Sequence, residues 1–185
     1  MLSARIRIAA RLVAVAALAA LTAGCFQPMY AERTLDGQSS ALREKLMGVE
    51  VPPVDKANAS REARVGVEVR NALAFKLYGT ATGAPPTHRL VLRFYTSRSS
   101  LMIDPTTALP TSENYGIDAQ FNLIEIASNK SVMTGTTFSR VSYDMPGSYQ
   151  RFARIRALRD AEDRAAQEIA DNIQTRLASF FSAGT

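Results

Sequence analysis

His88 is the one histidine of this 185-residue chain and Cys25 the one cysteine, so side chains able to ligate a metal or act as a nucleophile are scarce. Two-histidine metal sites are excluded. The sequence holds no G-x-S-x-G elbow, no H-E-x-x-H helix and no G-x-x-x-x-G-K-[ST] phosphate loop. His88 adjoins a strand start and reads as exposed or structural. Glu162 and Asp163 are paired carboxylates of the kind that can exchange protons, but Arg159 and Arg164 flank them, and they read as ion pairs on a wet helix face. No catalytic set, metal site or cofactor is expected, and the chain is not expected to be an enzyme.

Two other groups carry the chemistry. The first is Cys25 and what precedes it. Arg5, Arg7 and Arg11 stand without an acidic residue, an apolar run follows from Leu12 to Leu21, and small residues lead to the cysteine. That order is an export signal covering residues 1–24. The run is about half of the ~20 residues that a spanning helix needs. Thr22-Ala23-Gly24-Cys25 fits the processing site of a bacterial lipoprotein, although Leu21 sits four residues before the cysteine where three is usual. Cys25 is then the lipidation residue, and acylation accounts for an exported thiol that has no internal partner for a disulfide. Each buried acyl CH₂ adds about 0.8 kcal/mol, so the several fatty-acyl chains of a mature lipoprotein, palmitate among them, hold it to a membrane for good. Phe26 replaces the Asp common in lipoproteins kept at the inner membrane, which by that likeness sends this one to the outer membrane.

The second group is Arg151, Arg154, Arg156 and Arg159, with no acidic residue before Asp160. Four cations at a helix start oppose the macrodipole unless an anion is near. Guanidinium groups can grip lipid phosphates by bidentate, charge-assisted bonds of about 1.5–3 kcal/mol each. The plainer reading is a solvated arginine face, or an interface with an acidic partner surface. Without the signal arginines the basic residues number 19 against 17 acidic, a charge of +2. No dense basic stripe with interleaved aromatics is present, so nucleic acid is not an expected partner.

The 161 residues after the signal are enough for one domain. Residues 25–43 are polar and aperiodic and read as a lipidated tether, leaving 44–185 as the folded part. Lys45 to Val54 reads as a first, edge strand closed by Pro52-Pro53. Ser60 to Leu77 alternates like a strand at Val65, Val67 and Val69 and repeats every four like a helix at Val65, Val69, Leu73 and Leu77. Ser60 as N-cap, Glu62 in the first turn and Gly79 as a stop choose the helix. His88 to Thr96 alternates as a half-buried strand, while Ser97 to Asn114 reads either as a protruding loop or as extended strand ends. Tyr115 to Ile126 and Ser131 to Tyr143 form a hairpin around Ser128-Asn129-Lys130. From Ser148 onward, Phe152, Ile155, Leu158, Ala161, Ala165, Ile169, Ile173, Leu177 and Phe180 repeat at helical spacing. The expected fold is α+β, an antiparallel sheet of about four strands with two helices packed on one face.

Several segments in one order resemble the LPS-assembly lipoprotein LptE family in its alphaproteobacterial form. They are Cys25-Phe26-Gln27-Pro28-Met29-Tyr30, Arg70-Asn71-Ala72-Leu73, and Asp160-Ala161-Glu162-Asp163-Arg164-Ala165-Ala166 running through Ile169 to Arg176-Leu177. The Gly that relatives often carry before Phe-Gln-Pro is missing. The resemblance implies a lipoprotein that partners and plugs the LptD β-barrel, helps it fold and binds lipopolysaccharide on its way to the outer leaflet of the outer membrane. A wide barrel is otherwise an open water channel. The polar face of Asp118, Gln120 and Asn122, with Thr134, Thr136 and Ser139, suits a polar lumen. Basic loop residues touch lipopolysaccharide in the family. Here the 97–114 segment has only Arg98, which leaves Arg151 and Arg154 as the candidates. The rival reading is a periplasm-facing regulatory lipoprotein that activates a cell-wall synthase, and the tether of under twenty residues argues against it.

Overall fold

Leu42 and Leu46 stand one helical turn apart, and in the computed structural model Ala41–Met47 is helix α1, with Leu46 buried. The structure describes residues 41–79, 85–147 and 150–183, so the expected signal, Cys25 and most of the expected tether fall outside the described residues. The start of the expected first strand is therefore helical. Only Val49–Glu50 pairs as β1, because Pro52-Pro53 supplies no ladder donors.

Arg61–Tyr78 forms α2, and the helical reading of this ambiguous segment holds: the Ser60 side chain accepts from the Ala63 amide at 2.9 Å. Val65, Val69, Leu73 and Leu77 are buried, whereas Val67, which only the strand reading would have placed inside, is 54% exposed. Gly79, at φ +64°, ends the helix in a backbone conformation that favours glycine.

Strands β2 (His88–Ile103), β3 (Pro110–Glu125) and β4 (Lys130–Asp144) form an antiparallel meander, and the sheet order is β1-β2-β3-β4. Of the two readings of Ser97 to Asn114, extended strand ends are what forms. The ladder continues to Ile103↔Pro110, with an irregularity at Ser100 and Met102. The expected all-antiparallel sheet needs one correction. β1 pairs parallel with β2, since the chain leaves β1, crosses the sheet face as α2 and re-enters alongside.

Arg151–Ser182 is α3, which packs with α2 on one sheet face. Helices α2 and α3 run parallel: Arg64 meets Glu162 near one end, and Lys76 meets Asp171 at 2.6 Å near the other. Ala161, Ala165, Ala166 and Ala170 are fully buried and let the helix sit close against the sheet residues Leu90, Phe94, Ile117 and Leu123. With α1, three described helices pack against the sheet where two were expected. The α+β class stands. Opposite Phe121, Gly135 leaves room for the ring, since a Cβ there would lie 2.5 Å from Phe121 Cζ.

Candidate functional site

Because α2 and α3 are parallel and β2 and β4 end near their starts, one end of the sandwich gathers both long helices' N-termini and the β2–β3 hairpin tip. Arg61 and Arg64 lie in the first turn of α2, Arg151 and Arg154 in the first turn of α3, and Arg156 and Arg159 in its second and third turns. The α3 start carries no side-chain cap and no acidic residue in its first turn, so the unfavourable meeting of cations and dipole read from sequence is present. Arg151 is exposed. Arg154 is half-buried, with its guanidinium 4.0 Å from Met145 Sδ. The structure brings this pair to one helix turn but into none of the cavities described below.

Sequence reasoning misplaced Glu162. It is 1% exposed rather than on a wet face, and its Oε2 accepts from Arg64 while Arg61 Nε stands 3.8 Å from Oε1. Its spacing was the available signal: four residues from Leu158 and four from Ala166, it falls within the apolar stripe. Glu162 raises the pKa of Arg64 above its ordinary value through their hydrogen bond. Burial first, and the Glu162 charge second, push the Tyr115 phenol up to about 12. Glu162 Oε1 has no hydrogen-bond partner among the described residues. Asp163, by contrast, is exposed as expected, and Arg164 pairs with Asp160 at 2.8 Å.

Between α2 and α3 at this end opens a groove of about 610 Å³. Arg61, Arg64 and Arg159 supply its cations, Glu162 its one carboxylate, and Ala63, Val67, Ile155 and Leu158 its apolar lining. Ile155 is 47% exposed and Phe152, one turn earlier, 83% exposed, so the first turns of the periodic helix do not join the core as the spacing implied. Phe181, rather than Phe180, is the fully packed ring at the far end.

His88 sits at that far end, half-buried. Its ring meets Phe181 edge-on at 5.2 Å, and its Nδ1 is 2.9 Å from the Thr87 hydroxyl. Burial lowers its pKa, against the opposing charge of Glu125 and with a smaller contribution from Lys45 in the same direction as burial. Arg98 is exposed on β2. The outer sheet face is open, with Asp118, Gln120, Thr134, Thr136 and Arg140 exposed beside Tyr95 and Phe138. Ser139 does not belong to it: strand alternation turns Ser139 inward, where it donates to Glu168 at 2.6 Å. The hairpin tip exposes Leu101, Met102, Ile103 and Leu109. Among the described residues no helix is long and apolar enough to cross a membrane, and no cluster of three metal-ligating groups forms.

No curated protein matches the sequence. Among solved structures, one described as a candidate lipoprotein from Caulobacter crescentus is similar, at 22% identity and a TM-score of 0.62, covering 79% of this chain and 98% of that one. The rare lipoprotein B from Shewanella oneidensis aligns at 18% identity with a TM-score of 0.50, over 73% of this chain and 96% of its own. These likenesses establish the fold. The family model described as LptE, lipopolysaccharide-assembly, matches residues 46–177, from the last turn of α1 to the last turns of α3, so the chain belongs to the LptE family of lipopolysaccharide-assembly proteins.

Proposed function

We propose that this protein is an outer-membrane lipoprotein, anchored through acylated Cys25, that partners and plugs an LptD-like β-barrel and assists lipopolysaccharide into the outer leaflet. Family membership supports the assembly role. The observation that carries the plug reading is the open sheet face, where Asp118, Gln120, Thr134 and Thr136 give a polar surface for a polar lumen. Two exposed aromatic side chains, Tyr95 and Phe138, offer anchors within it. The outer-membrane placement rests on Phe26 following the lipidated cysteine. Lipopolysaccharide contacts fall to the basic end, with Arg151 and Arg154 at the start of α3 as its first cations.

Tagged protein extracted in detergent from its native membrane should bring down a large β-barrel in near-equal amount. Recovery of a cell-wall synthase in its place overturns the assignment in favour of a regulatory lipoprotein. Replacing Arg151 and Arg154 with Glu should weaken lipopolysaccharide binding in vitro with the thermal melt retained. Unchanged binding removes that pair from the site.

A further inference from the structure

The groove between the N-terminal halves of α2 and α3 combines features that a solvated arginine face does not need. Three guanidinium groups face one carboxylate, leaving an excess of positive charge. Arg64 is committed to Glu162, but Arg61 approaches it only to 3.8 Å, and among the described residues Arg159 has no carboxylate within ion-pair reach. Glu162 lines the groove, and its Oε1 is buried without a hydrogen-bond donor among the described residues. A buried acceptor left without a donor costs free energy that a ligand hydroxyl or amide can recover. Beside these polar groups Val67 and Ile155 form an exposed apolar strip that Phe152 extends, since residues 152, 155 and 159 share a helix face.

We propose that this groove seats the phosphorylated, acylated sugar headgroup of an anionic glycolipid: Arg159 and Arg61 grip a phosphate, Glu162 Oε1 accepts a hydroxyl or amide proton, and Val67, Ile155 and Phe152 cover the start of an acyl chain. Charge complementarity selects the occupant. An acidic peptide would offer the two acceptor oxygens of each carboxylate where a phosphate offers three to Arg159 and Arg61, and a neutral lipid would leave Arg159 unpaired. The proposal deepens the reading of this protein as a lipopolysaccharide handler, and it places the recognition one to two turns along α3 from Arg151.

The test measures binding to the full-length protein in detergent with three probes: a bisphosphorylated acylated glucosamine disaccharide, the same molecule with its phosphates removed, and phosphatidic acid. The native protein should prefer the bisphosphorylated disaccharide over its dephosphorylated form by about tenfold. Arg159→Gln should erase most of that preference, and Arg159→Lys should restore part of it. Arg159 is exposed, so neither change is expected to disturb the fold. Glu162→Gln, assayed well below its melting temperature, should weaken the disaccharide more than phosphatidic acid. An unchanged preference in Arg159→Gln overturns the phosphate subsite, and equal binding of phosphatidic acid and disaccharide overturns the sugar part. Arg159→Gln should still co-purify with a barrel. Failure to recover a barrel with the native chain sinks the plug reading and leaves these binding results standing on their own.

Discussion

Truncating Arg64 to Ala leaves the Glu162 carboxylate, 1% exposed, with only Arg61 at 3.8 Å to answer it. Breaking one side of a fully buried pair costs about 3–5 kcal/mol, because a charge stays inside without compensation. Arg61 can close part of the gap, and the Arg64 side chain was itself 37% exposed, so a loss of about 2–3 kcal/mol is expected. The reciprocal change behaves differently. Glu162→Met removes the buried charge and fills the space with a flexible apolar side chain, while Arg64 and Arg61 turn outward into the groove. Its cost is expected below about 1 kcal/mol, since replacing a buried ion by an apolar group of similar volume is often neutral or stabilising. At roughly 2–4 °C per kcal/mol for a domain of this size, Arg64→Ala should melt about 4–12 °C lower and Glu162→Met within about 4 °C of the native protein. Thermal unfolding followed by circular dichroism reads both. The double variant should recover most of the Arg64→Ala loss. If Glu162→Met proves as destabilising as Arg64→Ala, with no recovery in the double variant, the desolvated-charge account of this pair is wrong.

Two other outcomes follow from the packing. Gly135→Val places a side chain where Phe121 Cζ would stand 2.5 Å from its Cβ, and overpacking of this kind should cost about 1–3 kcal/mol in urea unfolding; a change within error would mean that the ring has space to move. Burial holds the folded-state pKa of His88 below its ordinary 6.5, so its contribution is fully present above pH 6.5 and is lost as pH falls through the folded value. Relative to His88→Phe, which cannot titrate, the native protein should therefore lose stability between pH 7.5 and 5, and a constant difference across that range would contradict the burial argument.

The fold was legible where periodicity and punctuation agreed. Ser60, Glu62 and Gly79 decided α2 against its three alternating valines, and the β2–β4 meander followed from strict alternation around Ser128-Asn129-Lys130. What escaped was set by tertiary context. The two-residue β1 depends on its parallel neighbour, which no local pattern announces, and α1 is too short for its Leu42–Leu46 spacing to outweigh the apolar residues that follow. Phe152 and Ile155 keep helical spacing but stay exposed in the first turns of α3, so the pattern continues where the core does not. Glu162 was hidden by its neighbours: an acidic residue among Arg159, Asp160, Asp163 and Arg164 looks like surface until its position on the stripe of Leu158, Ala165 and Ala166 is counted. The partners that make its burial tolerable, Arg61 and Arg64, stand about a hundred residues away in the chain.

The plug assignment is tested most directly by crosslinking in living cells. A photo-reactive amino acid placed at position 95, 120 or 136, all on the open sheet face, should yield adducts with one large β-barrel protein of the outer membrane. The same probe at position 117, which is buried against the helices, should yield none. Adducts from the three face positions to a barrel are the predicted result. Adducts only to soluble periplasmic or cell-wall enzymes, or none from any of the three, would contradict the account.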